Sequence, residues 1–280
     1  MFKIVYSKKL SENAYLLRIV APEIANKSKP GQFIVLRIDE KGERIPLTIS
    51  GKNAEEGTID LIFQSVGKTT FALAALKAGD DIRDILGPLG NPTDVQNFGT
   101  VVCIAGGVGA AEILPVARAF KNAENNVITV LGARSKPLLI LENELKDASN
   151  TFLTITDDGS SGEKGLVSNI LADLIQKKIH IDLVYAVGPV AMMKAVSEMT
   201  RSAGIKTIVS LNPIMVDATG MCGSCRVSID GKTKFSCVDG PEFDGHKVDW
   251  DELSARLNIF KDKEKLSLEK YQHECRLKNI

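Results

Sequence analysis

The chain has 280 residues, enough for about two domains, and its 35 basic and 35 acidic residues cancel in formal charge. That balance removes the electrostatic case for a nucleic-acid partner or an anionic membrane surface. At 44% hydrophobic and 25% charged residues the composition is that of a soluble globular protein, and no apolar run approaches the roughly 18 residues that span a bilayer.

In chain order, residues 1 to 98 read as a β-rich domain. The opening Met1-Phe2-Lys3-Ile4-Val5-Tyr6-Ser7-Lys8-Lys9 leaves no signal-peptide core between its lysines. Short alternating runs at 14–20, 33–38 and 58–63, separated by turn residues, predict a small antiparallel barrel or sandwich. Near Asn97 the texture changes. A fully apolar run at 100–105 is followed by glycines and a helical pattern over 110–121. Further strands are expected at 126–131, 151–156 and 182–187, interleaved with helices at 142–146, 166–177 and 191–203. This alternation predicts an α/β domain over 99–210 with a parallel sheet covered on both faces. Residues 211–246 are rich in Gly, Asp and Cys with little periodicity, and 247–280 form a charged helical tail.

The strongest chemistry lies in 211–246. Asp217-Ala218-Thr219-Gly220-Met221-Cys222-Gly223-Ser224-Cys225 is followed, eleven residues on, by Cys237. Plant-type [2Fe–2S] sites use C-x4-C-x2-C with a distant fourth cysteine. Here Asp217 stands at the first position, so Asp217, Cys222, Cys225 and Cys237 would offer three thiolates and one carboxylate. A thioredoxin-like dithiol at Cys222–Cys225 and a structural zinc site remain open, as does a turn-capping role for Asp217 with Asp239 as the other carboxylate. Five cysteines, three of them bunched, fit a reducing cytoplasm better than a secreted disulfide framework. Cys103, in the apolar run, and Cys275, in the tail, read as inert.

Two glycine turns follow strands. Gly106-Gly107-Val108-Gly109 joins the 100–105 strand to a helix, whose free amides suit a pyrophosphate. The last glycine of G-x-G-x-x-G is replaced by Glu112, and simple strand–helix packing is the competing reading. Gly188-Pro189-Val190-Ala191-Met192 repeats the arrangement at a later strand end. Asp157 and Asp158, after a third strand, suit ribose hydroxyls and disfavour a 2′-phosphate, or else belong to a turn; Arg134 and Lys136 argue weakly the other way. Gly67-Lys68-Thr69-Thr70 imitates a P-loop, but the required upstream glycine is Ile62, which excludes the nucleotide-triphosphate reading. The scattered histidines His180, His246 and His273 form no metal motif.

Taken together these motifs resemble the ferredoxin–NADP reductase superfamily, and within it the electron-transfer subunits of dihydroorotate dehydrogenase and of NADH-dependent reduced ferredoxin:NADP oxidoreductase. The resemblance covers essentially the whole chain. It implies an FAD-binding barrel, a nicotinamide-binding α/β domain and a C-terminal [2Fe–2S] segment. Ile45-Pro46-Leu47-Thr48 matches the family's flavin motif, with Arg44 one place early and Thr48 near the reactive flavin nitrogen. Gly67-Lys68-Thr69-Thr70 matches the second flavin segment, whose amides would hold pyrophosphate, and Ile62 and Phe63 are counted in the same cofactor site. Gly87-Pro88-Leu89-Gly90 matches the turn closing the barrel. Gly106 to Gly109 (through Val108) and Gly188, Pro189 and Met192 match the nicotinamide-side turns. Asp217 and Glu112 lean toward the small subunit of the ferredoxin:NADP oxidoreductase. The implied activity is electron transfer between NAD(H), with NADP(H) left open, FAD and the cluster. The implied partner is a larger iron–sulfur flavoprotein subunit in a cytoplasmic heterodimer of electron-bifurcating transhydrogenase type, reaching ferredoxin through the complex, with neither nucleic acid nor membrane involved. The alternatives are the electron-transfer subunit of an NAD-dependent dihydroorotate dehydrogenase and a non-enzymatic zinc-bearing assembly subunit.

Overall fold

A computed structural model of the chain describes residues 1–278 and the side chains of 1–274; the side chain of Cys275 lies outside the described residues. The N-terminal part is an antiparallel barrel of β1 (Phe2–Lys9), β2 (Ala14–Val20), β3 (Phe33–Arg37), β4 (Ile45–Asn53), β5 (Thr58–Gln64), β6 (Asp81–Ile82) and β7 (Asp84–Leu89). Two short helices, α1 (Pro22–Lys27) and α2 (Lys68–Ala75), sit in its connections. The strand order β6-β1-β2-β5-β4-β3-β7 places β6 and β7 at opposite edges, although only Arg83 separates them in sequence. The sheet must therefore curl until its edges almost meet. β2 and β5 pair over their full length, and Leu17, Ile19, Ile59 and Leu61 point into a common core.

β3 is buried along nearly its whole length, yet its two faces serve different cores. Ile34 and Leu36 fill the barrel, whereas Phe33 and Val35 project outward. The period-two geometry of a strand makes this division obligatory.

The second domain is built on β8 (Thr100–Gly106), α3 (Ala110–Asn122), β9 (Asn126–Ala133), α4 (Glu142–Asp147), β10 (Thr151–Thr156), β11 (Glu163–Lys164), α5 (Val167–Gln176), β12 (Leu183–Val187), α6 (Val190–Ala203) and β13 (Lys206–Ser210). β8 is central because both of its faces are covered. Val101, Cys103 and Ala105 enter one core and Val102 and Ile104 the other, which explains a strand without polar alternation. The order β10-β9-β8-β12-β13 reverses at β8, and the crevice at such a reversal is where α/β sheets bind ligands.

The cysteine-rich segment is more structured than its aperiodic sequence suggests. It holds a hairpin of β14 (Arg226–Ile229) and β15 (Lys232–Phe235), a turn of helix α7 (Ser236–Asp239), and β16 (Glu242–Asp244). β16 pairs antiparallel with β13, so the sheet expected to be parallel ends on an antiparallel strand donated by the next segment. Pairing β16 there covers an edge that would otherwise expose backbone groups. α8 (Trp250–Asn258) starts at Asp249, whose carboxylate accepts from the Glu252 amide at 2.9 Å, and α9 (Lys261–Lys278) follows.

Candidate functional site

The barrel and the α/β domain face each other across a cavity of about 940 Å³. The barrel contributes Pro46, Leu47 and Thr48 from β4, Ile62 and Phe63 from β5, and Thr70 from α2. Opposite them stand Gly106 to Gly109, Glu112, Gly188, Pro189 and Met192, with Arg134 and Asp157 also on the wall. Sequence segments more than 140 residues apart are thus brought to one surface.

The two glycine turns separate ligand room from packing room. A Cβ on Gly109 would lie 2.4 Å from the Val187 carbonyl oxygen, so this glycine is required for α3 to approach β12. Gly107 has φ +57, and a Cβ there would meet nothing within 4 Å. Because Gly107 lines the cavity, its bare backbone forms a cradle that a dinucleotide can approach closely. The FAD and NAD(H) expected from the sequence fit this wall.

Other expected residues lie off the wall. Arg44 and Lys68 are exposed, and Ile45, Gly67 and Thr69 are also outside the cavity lining. Thr69 donates its hydroxyl hydrogen to Glu43 Oε2 at 2.6 Å. The Thr70 hydroxyl oxygen accepts from the Val66 and Gly67 amides at 3.0 and 2.9 Å, so those two donors serve the start of α2. Asp158 accepts from the Ser160 amide and hydroxyl at 2.9 and 2.6 Å, which holds its carboxyl below the usual carboxylate range. Of that acidic pair, Asp157 is the member on the cavity wall.

Glu112, on the first turn of α3, is buried at 8% exposure. Burial pushes its carboxyl upward, against hydrogen bonds from Ser210, Thr48 and Tyr185. Thr48 donates to its Oε2 at 3.1 Å, tying the barrel to the α/β domain directly beside the cavity.

Beyond one end of the cavity is the cysteine segment. Cys225 and Cys237 are buried, with their sulfurs 3.2 Å apart and both cysteines free. Burial, and then the neighbouring Cys225, push the Cys237 thiol up to about 12. Cys222 is exposed; the Ser224 hydroxyl and amide, and the Asp217 amide, hold its thiol below the ordinary value. The Asp217 carboxylate itself accepts from the hydroxyl and amide of Thr219. The four residues thus stand as two pairs, with Asp217, Cys222 and Cys225 on the loop before β14 and Cys237 on α7. Among the described residues, no group of three or more His, Cys, Asp or Glu side chains is gathered closely enough to hold a metal ion. The donor chemistry nevertheless fits an iron–sulfur pair, with two adjacent thiols and a third held below the ordinary thiol value by its hydrogen bonds.

Sequence reading overlooked the connection between the two regions. Phe33 and Met215 both line the cavity, and both pack in the small apolar cluster that contains Val35, Ala218, Cys225 and Cys237. The alternation in β3 carried the signal, since Phe33 and Val35 share a face that the barrel does not use. Tyr185 and Glu242, which bond to each other at 2.7 Å, had no motif to mark them. Cys103 is fully buried, as expected of a packing residue.

Comparison with known proteins agrees with this division. Residues 103–198 match the oxidoreductase NAD-binding domain, and residues 212–249 match the iron–sulfur cluster binding domain of dihydroorotate dehydrogenase B. The second match is to an iron–sulfur rather than a zinc domain. A Thermotoga maritima protein described as a dihydroorotate dehydrogenase B (NAD(+)) electron transfer subunit homolog is 48% identical, over 96% of this chain and 95% of its own. The dihydroorotate dehydrogenase B (NAD(+)) electron transfer subunit of Desulforamulus reducens is 32% identical over 86% of this chain and 95% of its own. A chain of the solved NADH-dependent reduced ferredoxin-NADP oxidoreductase, studied for flavin-based electron bifurcation, is 47% identical with a TM-score of 0.92, covering 97% of this chain and 98% of that one. The fold is thus a ferredoxin reductase-like barrel and α/β domain with a C-terminal iron–sulfur segment, and its cofactors are FAD, a [2Fe–2S] cluster and NAD(H). With iron–sulfur and NAD-binding domains on one chain and near full-length similarity, the protein belongs to the family of dihydroorotate dehydrogenase B electron-transfer subunits and their homologues, and is an oxidoreductase subunit.

Proposed function

We propose that this chain passes electrons between NAD(H) and a larger iron–sulfur flavoprotein subunit, in a ferredoxin:NADP oxidoreductase of electron-bifurcating type. FAD supplies the exchange between a two-electron hydride and the single electrons that a [2Fe–2S] cluster takes. Pro46, Leu47, Thr48, Ile62 and Phe63 would hold the flavin against the barrel, with Thr70 at the phosphate end. Gly106 to Gly109, Gly188, Pro189 and Met192 would present the nicotinamide, and Asp157 its ribose. Asp217, Cys222, Cys225 and Cys237 would ligate the cluster, after the two pairs close together. Arg44 and Lys68 are candidates for the FAD phosphates, reachable from the exposed surface by their long side chains.

The observation that carries this reading is the double use of Phe33 and Met215. They line the dinucleotide cavity and belong to the same apolar cluster as Cys225 and Cys237, which supports a short path between the two redox sites. The chain's residues position and insulate; none is needed as a general acid or base for hydride transfer itself. In the cell the complex would be cytoplasmic and would reach ferredoxin through its partner.

Anaerobic co-purification with the native partner tests this. The expected result is bound FAD, iron with acid-labile sulfide, flavin bleaching by NADH, and an iron–sulfur flavoprotein partner. Material with neither flavin nor iron would overturn the reading. The dihydroorotate dehydrogenase reading is favoured by the names of the curated relatives; co-purification of an FMN-containing barrel protein would select it instead.

A further inference from the structure

Thr48, Glu112, Tyr185 and Glu242 come from four distant stretches of sequence and meet in one line. Thr48 donates to Glu112 Oε2 at 3.1 Å. The Tyr185 hydroxyl lies 3.4 Å from Glu112 Oε1 and donates to Glu242 Oε1 at 2.7 Å. Thr93 donates to the same Glu242 oxygen. The line begins at the cavity wall and ends at the rim: Tyr185 and Glu112 are buried, Glu242 is half-buried, and Asp94 next to Thr93 is exposed. The Tyr185 ring is held edge-on against Phe120, with centroids 6.1 Å apart and an interplanar angle of 73°, so its hydroxyl is fixed between the two carboxyls.

A phenol has one hydrogen to give, and here it has two acceptors. Two ionised carboxylates at such a spacing would repel and leave one unsatisfied, so the buried line is most stable holding one extra proton. We propose that Thr48, Glu112, Tyr185 and Glu242 form a proton relay from the flavin cavity to the surface beside Asp94, an inference that rests on the flavin reading above.

The need for such a path follows from the electron count. A hydride from NADH brings two electrons and one proton; two electrons exported singly to iron carry no proton, so one proton per hydride must leave the cavity. Thr48 takes that proton on its oxygen as its own hydroxyl hydrogen passes to Glu112. Rotation of the Glu112 carboxyl carries that hydrogen from the Thr48 side to the Tyr185 side, where Tyr185 accepts it as its phenolic hydrogen passes to Glu242, which discharges to water. The Thr48 and Tyr185 hydroxyls and the Glu112 carboxyl then turn back to their starting orientations, and one proton has moved outward.

The electrostatics agree with this geometry. Burial raises the Glu112 carboxyl, opposed by Ser210, Thr48 and Tyr185. Burial likewise pushes Glu242 up to about 7, with Glu112 and Asp94 adding to the rise and Thr93 and Tyr185 opposing it. Burial also holds the Tyr185 phenol well above its ordinary value, so it conducts while remaining protonated.

The test uses holoprotein whose FAD content is verified by absorbance. Stopped-flow reduction by NADH is compared with reoxidation by ferricyanide in the presence of a pH indicator. In Tyr185→Phe, which keeps the ring packing, and in Glu112→Gln, proton release on reoxidation is expected to slow relative to NADH reduction by roughly tenfold or more, with its pH dependence near neutrality flattened. On the apoprotein, infrared titration in D2O is expected to show a protonated-carboxyl band disappearing near pH 7, absent in Glu242→Gln. FAD-loaded Tyr185→Phe with the wild-type ratio of the two rates would overturn the relay and leave the flavin reading intact. A wild-type spectrum with no carboxyl band titrating near pH 7, above the range of the ordinary carboxyls, would overturn it independently of flavin. Wild type that binds no FAD would overturn the reading beneath it, and the relay with it.

Discussion

The dinucleotide cavity and the cysteine loop both depend on tight turns at the ends of strands, but the chain completes only one of them by itself. Around the cavity the turns are anchored in β8 and β12, whose side chains are buried on both faces. Close packing fixes Gly106 to Gly109 before any ligand arrives. The cysteine loop has only a small cluster beneath it, Phe33, Val35 and Met215 among its members, and it leaves Asp217 and Cys222 apart from Cys225 and Cys237. Apolar burial thus builds a nucleotide site in advance, whereas a thiolate site with so little core gets its final shape from metal binding, whose free energy is in effect folding free energy.

The largest test of this contrast is Cys237→Ser. Removing one of the paired thiols is expected to lower iron and acid-labile sulfide by roughly tenfold or more, while FAD stays bound. Metal and sulfide analysis beside the flavin spectrum checks it; concurrent loss of flavin would mean that the cavity is not preformed.

Next comes the pH dependence of stability. The native state holds Glu242 protonated up to about pH 7, against an ordinary value of 4.5. Between those values the folded chain binds more protons than the unfolded one, so stability falls as pH rises through that window and levels off above it. The loss amounts to about 3 kcal/mol at most for a shift of this size. Denaturant titrations from pH 4.5 to 7.5 are expected to show this slope in wild type and a shallower one in Glu242→Gln, where the raised Glu112 carboxyl still contributes.

Two alanine substitutions sharpen the distinction within the cavity itself. Gly109→Ala drives a Cβ into the Val187 carbonyl and is expected to cost about 1–3 kcal/mol of stability. Gly107→Ala meets open space, so its stability cost is the left-handed backbone alone, about 1–2 kcal/mol, accompanied by weaker dinucleotide binding. Thermal melts with and without NADH separate the two. The smallest effect is expected from Asp217→Cys, which keeps a cluster but shifts its midpoint; an unchanged redox titration would remove Asp217 from the ligand set.

Much of the fold was legible because burial on one or both faces writes a period into the sequence. The strands at 14–20 and 151–156 are found as expected, and those at 100–105 and 126–131 differ only at their C-terminal ends. β1, β4 and β7 were not expected: β1 carries lysines on its exposed positions, and Pro46 and Pro88 interrupt the patterns of the other two. β16 escaped notice for a different reason, since a three-residue strand has too few positions to show a period.

By itself the sequence nominated the residues proposed to carry chemistry: the spacing of Asp217, Cys222, Cys225 and Cys237, and the glycine turns after two apolar strands, are local patterns with local causes. Tertiary structure alone decided that Phe33 and Met215 line the cavity while sharing a cluster with the cysteine pair, and that Thr48, Glu112, Tyr185 and Glu242 form one line. Those relations join residues up to 204 positions apart. No short-range period can encode them, because they arise only when two cores pack against each other and bring the ends of separate strands to a shared surface.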